Sequence, residues 1–405
     1  MHTTLADFIA TTAAGEEASE ILRKCVHCGF CNATCPTYRL LGDELDGPRG
    51  RIYQIKEMLE GAEPAASVLQ HLDRCLGCRA CETTCPSGVE YGKLLDTGRE
   101  LAEQRVQRGR WSQLQRRVLR WMFPFPLRIT PWLRLAMRVR PLLPRVLAAH
   151  VPPVLTPPGA WPEARHARRM VALAGCVQSV ATPATSAAAA RVLDRSGISL
   201  VTAPAAGCCG ALSHHLAARE EGLDFARRNI DAWIPLLEAG AEAVVASASG
   251  CGLHLRDYGR LLASDAAYAE KAARVSAAVR DLTEVVPLPA AGASPQRLRV
   301  AVHTPCTLQH GQHLGGRVEA LLRATGCELL PVADAGTCCG SAGSYSLLQS
   351  ELSSQLGDAR ARALQAGAPD VVVTANVGCQ LQLAGRCTAP VRHWIEVLDE
   401  ATRVL

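Results

Sequence analysis

Two copies of one cysteine spacing constrain this chain more than any other feature. "CVHCGFCNATCP" places Cys25, Cys28, Cys31 and Cys35 ahead of Pro36, and "CLGCRACETTCP" places Cys75, Cys78, Cys81 and Cys85 ahead of Pro86. Both fit the C-x2-C-x2-C-x3-C-P run of bacterial-type [4Fe–4S] proteins. Three cysteines at this spacing wrap three corners of a cubane. The proline then turns the chain away, so the fourth cysteine reaches the other cluster. The expected ligand sets are therefore crossed: Cys25, Cys28, Cys31 and Cys85 for one [4Fe–4S] cluster, and Cys75, Cys78, Cys81 and Cys35 for the second. A pair of zinc sites is the alternative, and two complete copies with both prolines weigh against it.

The motifs start fifty residues apart, further than a compact ferredoxin hairpin requires. In the insert, Ile52, Ile55, Met58 and Leu59 recur at helical spacing before Gly61. A mainly helical two-cluster domain is expected over residues 1–103.

The second half of the chain repeats itself. "RRMVALAGC" and "LRVAVHTPC" end at Cys176 and Cys306, and "GISLVTAPAAGCCG" matches "GCELLPVADAGTCCG". "AGAEAVVASASGC" and "AGAPDVVVTANVGC" end at Cys251 and Cys379; the offsets between matched cysteines are 130, 130 and 128 residues. Each repeat alternates short apolar runs with helical periods, a βαβ order that favours a parallel sheet. The fold class expected is α+β and multidomain, with the helical domain followed by two duplicated parallel-sheet domains over 166–290 and 296–405. Ligands gather at the carboxyl ends of such strands, and every repeated cysteine falls just after one. Cys176, Cys208, Cys209 and Cys251 are thus candidates for one metal centre, and Cys306, Cys338, Cys339 and Cys379 for another. Buried free thiols are the plainer reading. Cys327 and Cys387 have no counterpart and read as packing residues. His214, His215, His303 and His310 lie near the cysteine blocks, within range to tune a cluster through hydrogen bonds, although ordinary satisfied histidines are commoner.

Composition sets the compartment. Eighteen cysteines among 405 residues, with 48% hydrophobic and 20% charged, describe a globular chain that can bury a core without disulfides. The N-terminal stretch has neither the basic nor the apolar region of a secretory signal, and no segment is apolar enough to span a membrane. A reducing cytoplasm is expected, where abundant cysteine points to metal or redox chemistry.

At this point the sequence resembles the iron–sulfur subunit family of glycolate oxidase. The resemblance is carried by "CVHCGFCNATCPTYRLLGDELDGPRGRIY" at 25–53, "HLDRCLGCRACETTCPSGVEY" at 71–91, "ARVLDRSGIS" at 190–199, "CTLQH" at 306–310, "VRHWIE" at 391–396 and the two "CCG" repeats. It implies an electron-transferring subunit of a complex that oxidises glycolate to glyoxylate. A flavin-binding partner would carry out the oxidation, and electrons would pass to a quinone or respiratory acceptor. It also implies that the eight motif cysteines are cluster ligands, with further clusters in the CCG domains. In related CCG domains the last cysteine belongs to a C-x-x-C pair. Here His254 and Gln382 stand in the partner's place, which puts a five-cysteine cluster in doubt. The chain shows no dinucleotide fingerprint, phosphate loop, nucleophile elbow or zinc helix, so no catalytic residue is expected in it.

One stretch remains. Between Gln104 and Pro162 stand eleven arginines and no lysine or acidic residue, while the whole chain carries only +5. Residues 104–165 read as a basic, Pro-broken linker or docking segment. One reading is contact with an anionic membrane, on the cytoplasmic face of the inner membrane and near a quinone. The other is packing against the chain's own acidic faces or a partner. Nucleic-acid binding is not expected, since no recognition motif accompanies the charge. The alternative functions are the iron–sulfur subunit of an anaerobic glycerol-3-phosphate or lactate dehydrogenase complex, or an iron–sulfur regulator that binds DNA.

Overall fold

The computed structural model describes residues 1–142, 151, 155–289 and 298–403. The expected domain limits at 290, 296 and 405, and residues 143–150 and 152–154 of the basic segment, lie outside the described residues.

The N-terminal region is helical throughout. Helices α1 (Ala13–Lys24), α2 (Pro48–Leu59), α3 (Ala66–Asp73) and α4 (Tyr91–Arg105) enclose a core that includes Leu22, Ile55, Leu59, Leu72 and Leu94. Thr12 caps α1 by accepting from the Gly15 amide, and Pro48 opens α2 in the first turn, where its missing N–H costs nothing. Gly98 lets α4 lie against α2, since a Cβ there would come 2.5 Å from Ile55 Cγ1.

The basic segment forms α5 (Arg110–Met122) and α6 (Pro126–Val139). Its prolines do not all break helix, because Pro126 starts α6 and Pro131 is held within it. One face is anchored: Arg116 pairs with Asp73 at 2.8 Å, Arg120 with Glu221 at 2.6 Å, and Phe125 meets Phe225 at 5.9 Å between ring centroids.

The duplicated half contains two four-stranded parallel sheets. Strands β1 (Arg168–Ala172), β2 (Ile198–Thr202), β3 (Val244–Ala246) and β4 (Val279–Asp281) lie in the order β2-β1-β3-β4. Strands β5 (Arg299–His303), β6 (Glu328–Leu329), β7 (Val371–Thr374) and β8 (Val391–His393) repeat it as β6-β5-β7-β8. The outer strands β4 and β8 escape sequence reading because each is three residues long and runs straight into a capped helix. Asp281 forms a capping box with Glu284, and His393 accepts from the Ile395 amide.

The helices of this half are α7 (Pro183–Arg195), α8 (Ala211–His215), α9 (Arg219–Glu238), α10 (Ser249–Arg256), α11 (Ser350–Gln365), α12 (Val377–Ala384) and α13 (Trp394–Ala401), among shorter ones. The repeats share one core. Leu193 and Ile198 of the first pack in the same cluster as Val302 and Trp394 of the second. The seam is α7 against α13, where Ala187–Ala190 are small enough to bring the helices close. Asp399, 1% exposed, receives Arg191 at 2.7 Å, Arg195 at 2.8 Å and Arg403 at 2.7 Å. Burial pushes its carboxyl up, but the three guanidiniums outweigh that and hold it below the usual carboxylate range.

Asp399→Asn removes the carboxylate that all three guanidiniums contact. The expected loss is about 1–3 kcal/mol at neutral pH, below the ~3–5 of a wholly buried pair because the arginines are partly solvated. The depressed carboxyl stabilises the fold above its unfolded pKa and less as pH falls through its folded one. The melting difference between wild type and variant therefore narrows below about pH 4. A gap that stays constant as the pH falls below that value would contradict the assignment.

Candidate metal centres

The first cysteine loop bends at His27 (φ 59°) and Gly29 (φ 85°), and the second at Gly77 (φ 62°) and Arg79 (φ 58°). These left-handed residues curl each loop around its own thiols. After Cys35, Pro36 starts a new helix, Pro36–Leu41, and turns the chain away. The result is two adjoining cavities. The first, about 450 Å³ including the part open to solvent, is lined by Cys25, Cys28, Cys31 and Cys85, with Cys81 in its wall. The second, about 380 Å³, is lined by Cys35, Cys75, Cys78 and Cys81. Four soft sulfur donors meet at each, the chemistry that iron–sulfur groups require.

Without a cation Cys31, Cys78 and Cys81 hold their protons. Burial, and then Cys25, pushes the Cys31 thiol up to about 11; burial, followed by Cys306, pushes Cys78 well up. A metal must displace those protons. Donors stand ready for the resulting charge. The Gly77 amide lies 3.5 Å and the Tyr91 hydroxyl 3.7 Å from Cys75 Sγ, and Arg51 Nη1 lies 4.0 Å from Cys35 Sγ. Arg51 is 1% exposed and is held by Asp46 at 3.3 Å, which also binds Arg74 at 2.7 Å and faces His71. Sequence reading missed Arg51. Its signal was a charged residue beside Ile52 and Ile55 on the buried face of α2.

In the duplicated half, every repeated cysteine lies beyond a strand's carboxyl end. Cys176 follows β1, Cys208 and Cys209 follow β2, and Cys251 stands in the first turn of α10 after β3. Their thiols adjoin in the run Cys176–Cys208–Cys209–Cys251, each shifting the titration of the next. The second repeat builds Cys306–Cys338–Cys339–Cys379 likewise, with Cys306 Sγ 3.9 Å from Cys338 Sγ. No neighbouring pair is joined, since all eighteen cysteines are free. The glycine after each vicinal pair is required. Gly210 and Gly340 are left-handed (φ 86° and 80°), and their amides point at Cys208 Sγ (3.5 Å) and Cys338 Sγ (3.4 Å).

The two repeats differ in charge. In the second, buried Arg360 donates to His303 Nδ1 at 3.0 Å, and its charge acts on Cys338, Cys339 and Cys379. A His303 ring nitrogen lies within 4.8 Å of the Cys339 and Cys379 sulfurs, while its buried Nε2 has no hydrogen-bond partner among the described residues. That orphaned donor, beside four converging thiols, fits a bound group. In the first repeat the apolar Leu173 stands in the place of His303, and the neutral Asn229, which donates to the Cys208 carbonyl at 2.9 Å, stands in the place of Arg360. Gln382 donates to the Cys339 carbonyl (3.3 Å), and His254 is buried at 5% exposure beside Tyr258. Cys327 is buried in the core and Cys387 packs at its edge.

The second N-terminal cavity abuts the second repeat. Cys78 senses the charges of Cys306 and Cys338; Thr83 Oγ1 meets His310 Nδ1 at 3.0 Å, and Arg39 faces Asp334 at 3.8 Å. The two repeats' cysteine-bearing helices also meet. The Ser249 amide donates to the Ala375 carbonyl at 3.1 Å, and the Gly250 amide to Asn376 Oδ1 at 3.3 Å.

Comparison with known proteins agrees with this architecture. A 4Fe-4S dicluster domain matches residues 21–89, and a cysteine-rich domain matches 170–256 and 300–384. Over 404 residues, 99% of both chains, the sequence is 50% identical to the glycolate oxidase iron-sulfur subunit of Escherichia coli (strain K12). The chain belongs to that family. It is also 32% identical over 398 residues to the probable glycolate oxidase iron-sulfur subunit of Bacillus subtilis (strain 168), covering 89% of this chain and 88% of that one. Lactate utilization protein A of Bacillus licheniformis is 28% identical but matches only 52% of this chain, and 91% of its own length.

The glycines give a direct test. A Cβ at Gly340 would lie 2.7 Å from the Ser353 carbonyl oxygen, whereas at Gly343, also left-handed (φ 63°), it would meet nothing within 4 Å. Gly343→Ala is expected to cost about 1–2 kcal/mol from its backbone alone. Gly340→Ala carries the clash as well, so it should melt lower than Gly343→Ala in thermal unfolding.

Proposed function

We propose that this chain is the electron-carrying, non-catalytic subunit of a glycolate-oxidising complex. In this reading a flavin-binding partner subunit oxidises glycolate to glyoxylate, and electrons leave toward a quinone or respiratory acceptor. The supporting observation is the division of eight cysteines into two adjoining four-sulfur cavities, the second of which abuts another four-cysteine site. Cys25, Cys28, Cys31 and Cys85 would hold one [4Fe–4S] cluster, and Cys35, Cys75, Cys78 and Cys81 the other. The two CCG quartets are proposed to hold further clusters. Such groups supply one-electron storage and transfer. Arg51 offsets the thiolate charge at the inner cavity, and Tyr91 and Gly77 hold Cys75 in place. Near the outer cavity Cys28 is exposed, with Val26 69% and Phe30 62% exposed beside it. That apolar rim suits a docking partner that delivers electrons. Full-length similarity to glycolate oxidase subunits, against partial similarity to a lactate-utilisation protein, favours glycolate as the partner's substrate.

The crossed ligand sets are separable by experiment. After anaerobic purification, Cys25→Ser and Cys85→Ser should perturb one and the same EPR signal, while Cys35→Ser and Cys75→Ser perturb the other. Signals that sort by sequence motif instead would overturn the crossing.

The outer face of α5 and α6 is proposed as a membrane contact on the cytoplasmic side. Trp111, Trp121, Leu127 and Trp132 are 70%, 55%, 90% and 57% exposed among arginines. No helix among the described residues is long and apolar enough to cross a membrane. Co-sedimentation with anionic phospholipid vesicles is expected, weakened by salt and by a Trp111/Trp121/Trp132→Ser variant. Equal binding to neutral vesicles, or none, would refute the contact.

A further inference from the structure

The interface between the N-terminal domain and the first repeat holds three histidines that neither cysteine quartet uses. His214 and His215 end α8, His254 lies on α10, and Asp96 reaches them from α4. The rings form a triangle, with centroids 5.6 Å apart for His214–His215, 5.3 Å for His214–His254 and 6.0 Å for His215–His254. His214 Nε2 stands 3.2 Å from Asp96 Oδ2, and donor atoms of Asp96, His214 and His215 all lie within 4.8 Å of one another. Among the described residues, neither the His215 nor the His254 ring has a hydrogen-bond partner. His254 is nevertheless only 5% exposed, while His215 is open to solvent.

A buried polar ring without a partner, as at His254, is costly, and two imidazoles facing one carboxylate with a third ring against them are a poor apolar core. Each neutral imidazole, however, offers one lone pair, and the carboxylate supplies charge. Two nitrogens and one oxygen already grouped on two helices, with the His254 ring against them on a third, match the borderline donor set that binds first-row divalent cations. Arg260 competes directly for the carboxylate, with its Nη2 3.4 Å from Asp96 Oδ2, while the charges of Arg79 and Arg99 also reach the cluster. Arg260 keeps a second partner in Glu17, at 3.2 Å, if the carboxylate turns to a metal. Solvent access at His215 provides the way in.

We propose that Asp96, His214, His215 and His254 form a divalent-cation site, distinct from the cysteine centres, that clamps the N-terminal domain to the first repeat. The site contains no sulfur, so it selects a hydrated ion such as Zn²⁺ or Fe²⁺ rather than a cluster. It does not depend on which substrate the partner oxidises.

Zinc alone is the probe. The full-length, cluster-containing protein is stripped of loosely bound metal, titrated with ZnSO₄ under anaerobic conditions, and measured by elemental analysis and zinc X-ray absorption. About one zinc per chain is expected, with a nitrogen/oxygen shell and no sulfur scattering near 2.3 Å. His215→Asn, at an exposed position that should not disturb folding, and His254→Asn should each weaken zinc binding at least about tenfold. Iron and acid-labile sulfide should remain at wild-type levels. Absence of zinc, a sulfur shell, or nitrogen/oxygen zinc insensitive to both variants would overturn the site. Loss of iron and sulfide from the parent protein would count against the cluster reading instead, so the two failures are distinguishable.

Discussion

Bringing four cysteine sulfurs into one cavity is the constraint on which the rest of this structure depends. As thiolates they repel one another, and desolvation holds the proton on the half-buried Cys31 thiol up to about 11. A positive metal centre relieves both penalties, so folding and cofactor binding are coupled. The surroundings supply part of the compensation in advance. Arg51 beside Cys35, Arg360 beside the second repeat's quartet, and the amides of Gly77, Gly210 and Gly340 all direct positive charge or N–H groups toward sulfur.

The chain gathers sulfurs in two physically different ways. In the N-terminal region tight left-handed loops do so locally, and one cysteine per motif is exchanged with the neighbour. In the duplicated half a parallel sheet does it at long range, because every strand delivers its following residue to the same edge. There, vicinal cysteines are a geometric convenience: one loop supplies two donors, provided that the next residue is a glycine able to adopt a positive φ.

Assembly rests on shared surfaces rather than on linkers. The alanine-rich α7 packs on α13, and Asp399 ties three arginines together across that seam. The inner cavity of the N-terminal domain touches the second repeat, while Asp96, Glu17 and Arg79 meet His214, Arg260 and Asp257 on the first. Both repeats are thus held against the helical domain, but only the second brings its thiols beside Cys78 and carries the buried His303–Arg360 pair. Duplication produced two similar frames, and substitution at a few buried positions made them electrically unequal.

Much of this was legible in the sequence, because spacing is a local property. The C-x2-C-x2-C-x3-C-P runs state which thiols share a loop. The repeat offsets reveal the duplication, and the apolar runs place each repeated cysteine after a strand. The strands β4 and β8 were not legible, since each is three residues with an arginine at its centre, Arg280 or Arg392, and so lacks the apolar run that marks the equally short β3. Nor were the roles of Arg51, Arg360, Asp96 and His254, whose partners lie far away in the chain. By itself the sequence determined which donors exist and how they are grouped. Only the tertiary structure decided which groups adjoin, which charges face them, and that three histidines meet one aspartate, because those depend on how separate elements pack.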